Sequence, residues 1–290
     1  MPGKLIAIGG AENKASDSAI LRRVLDFAPP GNREVAVVTT ASGIPDEVFA
    51  GYDEAFAQIG ATAVHHLDVR FREDAREPSH IDCIGHCGII FISGGDQLRL
   101  TNVLGASPLL AAIREARSAG KVVAGTSAGA AAMSATMIYD GAAADALRKG
   151  GVKMSAGLGF VEGVVIDSHF LERGRFTRLM EVGSTNPEYV GIGLGEDAAV
   201  IVHGNRILEA LGSGHVIVVD STDLYYSDVA ELCDGAPVAV SHVVMHALTS
   251  GHGFDLVARR FLRKEELKTT LGEISLEDSG APGASRAELL

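Results

Sequence analysis

Ser127 lies in Gly125-Thr126-Ser127-Ala128-Gly129, directly after the apolar run 121–124 and before the small-residue stretch 130–138. A strand, a sharp turn and a helix in that order place one hydroxyl at the turn, and the glycines allow the tight backbone. A hydroxyl so placed can serve as a nucleophile, with the first amides of the helix facing charge that develops beside it. Its competing role is a turn serine that only caps the helix. A serine nucleophile needs a base, and the base needs an acid to orient it. Among ten histidines, His169 has the most suitable surroundings, because it ends an apolar run and opens the arginine-bearing segment up to 176. Glu196 follows the apolar, glycine-rich run that starts at 189. The resulting order is Ser, His, acid. The α/β-hydrolases run Ser, acid, His, so the shared elbow does not carry that fold with it.

The elements around these residues are those of an α/β protein. Apolar runs at 4–10, 34–40, 61–69, 87–95 and 121–124 alternate with helical patterns near 16–28, 45–60 and 97–119. Runs apolar on both faces predict a mostly parallel sheet flanked by helices. Ligands then belong at the carboxyl ends of the strands. Three such ends carry polar side chains: Asp96-Gln97 after Gly94-Gly95, the Ser127 elbow, and Asp167-Ser168-His169. From 197 to 247 the texture changes to short antiparallel strands, with turns at Gly204-Asn205 and Gly212–Gly214. The pattern predicts one domain over 1–262 and a flexible tail over 263–290, which reads as charged and then Gly/Ser/Ala-rich.

Composition narrows the functional classes. With 47% hydrophobic and 21% charged residues, the chain is an ordinary globular sequence. A net charge of −12 and the lack of a basic stripe with aromatics argue against nucleic-acid binding. No run approaches the roughly 20 apolar residues of a membrane span, and the N-terminal apolar run is too short for a signal-peptide core. A cytoplasmic location is expected. Three cysteines, Cys83, Cys87 and Cys233, make no disulfide framework. Cys83-x-x-x-Cys87 has no second pair at metal-finger spacing, and neither His65-His66 nor His242 with His246 supplies a convincing one. The sequence therefore predicts no metal site and needs no cofactor.

Taken in order, Gly94-Gly95-Asp96-Gln97, Gly125-Thr126-Ser127-Ala128-Gly129-Ala130, Asp167 with His169-Phe170, Arg173-Gly174-Arg175, and Gly191-Ile192-Gly193 with Glu196 resemble the cyanophycinases. These are serine peptidases related to aspartyl dipeptidases, on a fold akin to class I glutamine amidotransferases. The resemblance runs from the first strand to about residue 250. It implies a Ser127–His169–Glu196 triad, in the order the residues themselves suggested. It also implies hydrolysis of cyanophycin, a poly-aspartate with arginine on each β-carboxyl, to β-Asp-Arg dipeptides, and a homodimer. Gln97, Asp167, Arg173, Arg175 and Arg178 would line the substrate pocket. Ser168 stands beside the base where the family commonly has glutamine, which bears on substrate preference. In such a reaction the backbone N–H of Ala128 and that of Gly95 would form the oxyanion hole. Two other functions fit the same pattern: an isoaspartyl or other β-aspartyl dipeptidase, and a non-catalytic binding protein on this fold.

Overall fold

The computed structural model describes residues 2–15 and 18–278. Its first half alternates strand and helix: β1 (Leu5–Ile8), α1 (Ala19–Asp26), β2 (Glu34–Val38), α2 (Pro45–Ile59), β3 (Ala63–Leu67), α3 (Pro78–His86) and β4 (Ile89–Ile92). Next come α4 (Gln97–Leu104), α5 (Pro108–Ser118), β5 (Val122–Thr126) and α6 (Ala128–Ala131). The second half is richer in strands: β6 (Thr136–Asp140), β7 (Lys153–Ala156), β8 (Val164–Asp167), α7 (Phe176–Thr185), β9 (Val190–Leu194), β10 (Ala198–His203) and β11 (Ile207–Gly212). It closes with β12 (Val216–Asp220), β13 (Tyr226–Ser227), β14 (Val240–Ser241), β15 (Val244–Leu248), β16 (Gly253–Asp255), β17 (Arg260–Leu262) and α8 (Lys264–Asp278).

The main sheet has nine strands in the order β17-β16-β11-β10-β1-β5-β4-β2-β3. β1, β5, β4, β2 and β3 run parallel. The four strands beyond β1 are antiparallel; β10 and β11 fall in the stretch where the sequence predicted this, and β16 and β17 lie beyond it. Successive side chains of β1 go to opposite faces. Leu5 and Ala7 join one core with Leu100, Leu104 and Ile113. Ile6 and Ile8 join another with Val24 of α1 and Phe56 of α2. Both faces are covered, which is why these strands read as continuous apolar runs. A second sheet, β15-β12-β9-β8, pairs β8 and β9 in parallel. The chain passes from this sheet to the main one between β9 and β10.

Local signals explain most element ends. α2 begins with Pro45 and the acids Asp46 and Glu47, and stops at Gly60 in a left-handed conformation with φ 99°. The single long helix expected over 97–119 is two helices. Gly105 ends the first, and Ser107 caps the second by accepting from the Leu110 N–H, with Pro108 at its first position. The helix expected after Ser127 ends at Ala131, and Thr136–Asp140 is a strand, as its β-branched and aromatic residues favour. α3 was not foreseen.

The tail expected from 263 is, as far as Asp278, the helix α8. Leu267, Leu271 and Ile274 are spaced four and three residues apart and pack on Ile207 and Leu262. That spacing is an apolar helical period, missed because charged residues surround it. The rest of the expected tail, 279–290, lies outside the described residues.

Candidate active site

The carboxyl end of β1 is the anchor of the site. Ile8 accepts a hydrogen bond from the Ser127 N–H, Gly9 from the His169 N–H, and Gly10 from the Asp197 N–H. One short backbone segment thus fixes three loops, each bearing or adjoining a functional side chain. Ser127 sits between β5 and α6 at φ 51° and ψ −111°, a conformation L-residues rarely hold. That turn stands its side chain out of the sheet. Ser127 Oγ is 3.0 Å from His169 Nε2. His169 Nδ1 is 2.8 Å from Glu196 Oε1. The serine comes from the main sheet and the histidine from the end of β8 in the second sheet. The glutamate comes from the link between the two sheets. His169 and Asp197 are also at positive φ, 47° each, so the loops around the hydroxyl are held in strained turns.

Asp197 does not compete for the base. Its carboxylate accepts from the Asn13 N–H and from Ser213 Oγ. The imidazole is seated from below by glycine. A Cβ on Gly10 would stand 2.4 Å from His169 Cε1, so no larger residue fits beneath the ring as it lies. Gly193 is equally constrained, since its Cβ would lie 2.4 Å from Phe170 Cδ1, and Phe170 is fully buried. Gly193 therefore makes room for the residue next to His169, while Gly191 lies against Leu179 of α7.

Sequence reasoning missed Gly10, Glu12 and Tyr52. Glu12 is buried beside the elbow. Its carboxylate accepts 2.7 Å from Thr126 Oγ1, next to Ser127, and from the Tyr52 hydroxyl. Burial first, then the Glu12 charge, pushes the Tyr52 phenol well above its ordinary value, so it stays a donor. The available signal was Gly9-Gly10-Ala11-Glu12 at a strand's carboxyl end, the same rule that singled out Ser127.

The residues expected to line a substrate pocket divide into two groups. Asp167 is buried at 3% exposure and meets two of the three arginines of the following segment. Arg175 Nη1 donates 3.0 Å to Asp167 Oδ1 and also to the Ser168 carbonyl. Arg178 Nε lies 3.1 Å from Asp167 Oδ2, off the line of its N–H, so this contact is an ion pair rather than a hydrogen bond. Arg178 Nη1 donates to the Gly141 carbonyl. Burial raises the Asp167 pKa despite the opposing pull of Arg178 and Arg175, and burial lowers that of Arg175. Instead of facing outward, Asp167, Arg175 and Arg178 pair with one another, and Ser168 is buried beside them. Arg173 is exposed, with its N–H on the His169 carbonyl.

On the other side of Ser127, Gly94 approaches so closely that its Cβ would be 3.1 Å from the serine Cβ. Gly95, at φ 141°, rests against the Ala41 carbonyl, where a Cβ would stand at 2.0 Å. Asp96 caps α4 through the N–H groups of Leu98 and Arg99. The Gln97 amide nitrogen donates to the carbonyls of Ile138 and Tyr139. Gln97 so joins α4 to β6 at the rim of the site.

Fold and site together define a peptidase on a mixed α/β sheet. The chain belongs to peptidase family S51, whose model matches residues 5–210. The cyanophycinase of Geminocystis herdmanii is 34% identical over 250 residues, covering 86% of this chain and 91% of that protein. That of Trichormus variabilis is 34% identical over 259 residues, 89% of this chain and 87% of the relative. Among solved structures, a peptidase from an acI-B1 actinobacterium superposes with a TM-score of 0.65 at 21% identity, over 88% of this chain and 97% of that one. At that identity the likeness concerns the fold.

Proposed function

We propose that the protein is a serine-type exopeptidase that hydrolyses cyanophycin to β-Asp-Arg dipeptides through Ser127, His169 and Glu196. The unbroken chain from Ser127 Oγ through both imidazole nitrogens to Glu196 Oε1 carries this reading. His169 takes the Ser127 proton as the hydroxyl attacks the scissile carbonyl, and later gives it to the leaving amine. Glu196 holds the ring and stabilises its charged form. The backbone N–H of Ala128, directly after the nucleophile, and that of Gly95 receive the oxyanion, each worth roughly 3 kcal/mol of barrier. Water then releases the acyl group.

Each substrate unit carries a guanidinium and a free carboxylate. We assign carboxylate recognition to Arg173, which makes no ion pair among the described residues. The Gln97 carbonyl oxygen is an acceptor suited to the guanidinium, since its amide nitrogen is already engaged. Asp167, Arg175, Arg178 and Ser168 support the wall from behind. The names of the relatives favour cyanophycin over a free isoaspartyl dipeptide. The test is incubation of the purified protein with cyanophycin and, separately, with isoaspartyl dipeptides, reading products by mass. β-Asp-Arg from cyanophycin alone is the expected result. Turnover of the dipeptides alone would move the protein to the dipeptidase class.

A further inference from the structure

The β2–β3 edge of the main sheet carries a second group of reactive side chains. Glu34 is the first residue of β2, and His65 is the third of β3. The parallel register sets Ala36 against His65, so Glu34 and His65 are diagonal neighbours on one face. His65 Nε2 is 3.0 Å from Glu34 Oε2. Cys87, at the end of α3, is buried against them, and one ligand atom from each of Glu34, His65 and Cys87 lies within 4.8 Å of the other two. Cys83, one turn earlier, brings its Sγ to 3.8 Å from that of Cys87, and both thiols are free. Cys87 is held there because its N–H donates to the Cys83 carbonyl and the next residue, Gly88, donates to the Glu34 carbonyl.

We propose that Cys83, Cys87, His65 and Glu34 bind one divalent transition-metal ion of the zinc class, which ties the end of α3 to the amino edge of the sheet. Two sulfurs on a tetrahedral Zn²⁺ at about 2.3 Å each stand about 3.8 Å apart, matching the thiol pair. The imidazole and carboxylate complete a four-ligand set after contracting onto the ion. Two thiolates and an imidazole select a borderline metal over Mg²⁺ or Ca²⁺. Binding releases the two thiol protons. Lys121, whose ammonium donates to the Ile84 and Gly85 carbonyls, offsets part of the remaining negative charge. The sequence reading set this cysteine pair aside because no second pair stood at short spacing. The fold supplies the missing ligands from two other strands. Glu34 opens β2 and His65 lies mid-β3, so the site is away from the carboxyl end of β5 that carries Ser127, and its role is to brace the sheet.

The test is a Co²⁺ titration of untagged protein, kept reduced with a phosphine, reading the thiolate-to-cobalt charge-transfer band. One equivalent should produce the band and tetrahedral visible absorption, and Zn²⁺ should displace it. Cys83→Ser/Cys87→Ser should abolish the band, while Cys233→Ser and His246→Gln should leave it intact. His65→Gln and Glu34→Gln alter half-exposed side chains and keep the test valid if the cysteine variant fails to fold. Each should weaken binding by at least roughly 100-fold, beyond what changes around a ligand shell usually cost. At a hundredfold excess over Kd, Zn²⁺ should raise the wild-type Tm by about 5 °C and leave that of His65→Gln unmoved. No band from the reduced wild type, or equal binding by wild type and His65→Gln, overturns the proposal.

Discussion

Asp167 and His169 are two residues apart and belong to charged assemblies of opposite character. On one side, Ser127, His169 and Glu196 form a chain open to solvent, with the Glu196 side chain 41% exposed. On the other, Asp167 and Arg178 are 4% and 5% exposed, and Arg175 is 17%. In the proposed reaction, the open chain leaves a hydroxyl and an imidazole free to exchange a proton with a substrate. In the closed cluster one buried carboxylate is paired with two guanidinium groups and faces no open space. Neighbouring positions in a sequence therefore do not share a role. Burial decides whether a charge does chemistry or holds the wall behind it, because an uncompensated buried charge is costly and an exposed one is not.

Substitution should separate the two assemblies. The largest effect belongs to Ser127→Ala, which should cut turnover by about 10⁴- to 10⁶-fold with an almost unchanged melting curve. Turnover near the wild-type rate would remove Ser127 from the reaction. Glu196→Gln follows, at on the order of 10³-fold in kcat, because an amide cannot stabilise the imidazolium and favours the wrong tautomer. Asp197→Asn, whose native partners are Asn13 and Ser213, should reduce kcat far less. The reverse ranking, in steady-state kinetics on both variants, would reassign the acid.

The closed cluster should respond in stability. Arg178→Ala leaves Asp167 buried with one partner fewer and should cost about 3–5 kcal/mol. A chain of this size then melts on the order of 10 °C lower. If Arg178→Ala melted like the wild type and only KM rose, the arginine would face substrate and the contrast between the two assemblies would fail.

The difference in legibility has the same cause. The hydrogen-bonded chain of Ser127, His169 and Glu196 could be read because each stands just past the end of an apolar strand, Ser127 and Glu196 among glycines. Such positions are few, and they are the places where a parallel sheet delivers side chains. The arginine cluster could not be read this way. Arg173, Arg175 and Arg178 look alike along the chain, and only the start of α7 after Arg175 turns two of them back onto Asp167. The ligand set at the amino edge was equally hidden, because strand pairing joins Glu34 to His65 and no local spacing records it. α8 was hidden by composition, since Leu267, Leu271 and Ile274 keep their period inside a charged stretch.

The smallest effect tests which arginine faces outward. Arg173 follows His169 by one helical turn in sequence, and its N–H donates to the His169 carbonyl, so its backbone is fixed beside the base. Its side chain is exposed. Among the described residues the guanidinium makes no ion pair or hydrogen bond, so Arg173→Ala should shift stability by no more than about 0.5 kcal/mol. A forked donor meeting a substrate carboxylate at a wet rim should still contribute about 1 kcal/mol, or roughly fivefold in KM, with kcat retained. Arg173→Lys keeps the charge but loses the fork, and it should fall between the two. Kinetics on cyanophycin beside a melting curve would measure both quantities. An unchanged KM for Arg173→Ala would return carboxylate recognition to the arginines on Asp167, and the closed cluster would have to open when substrate binds.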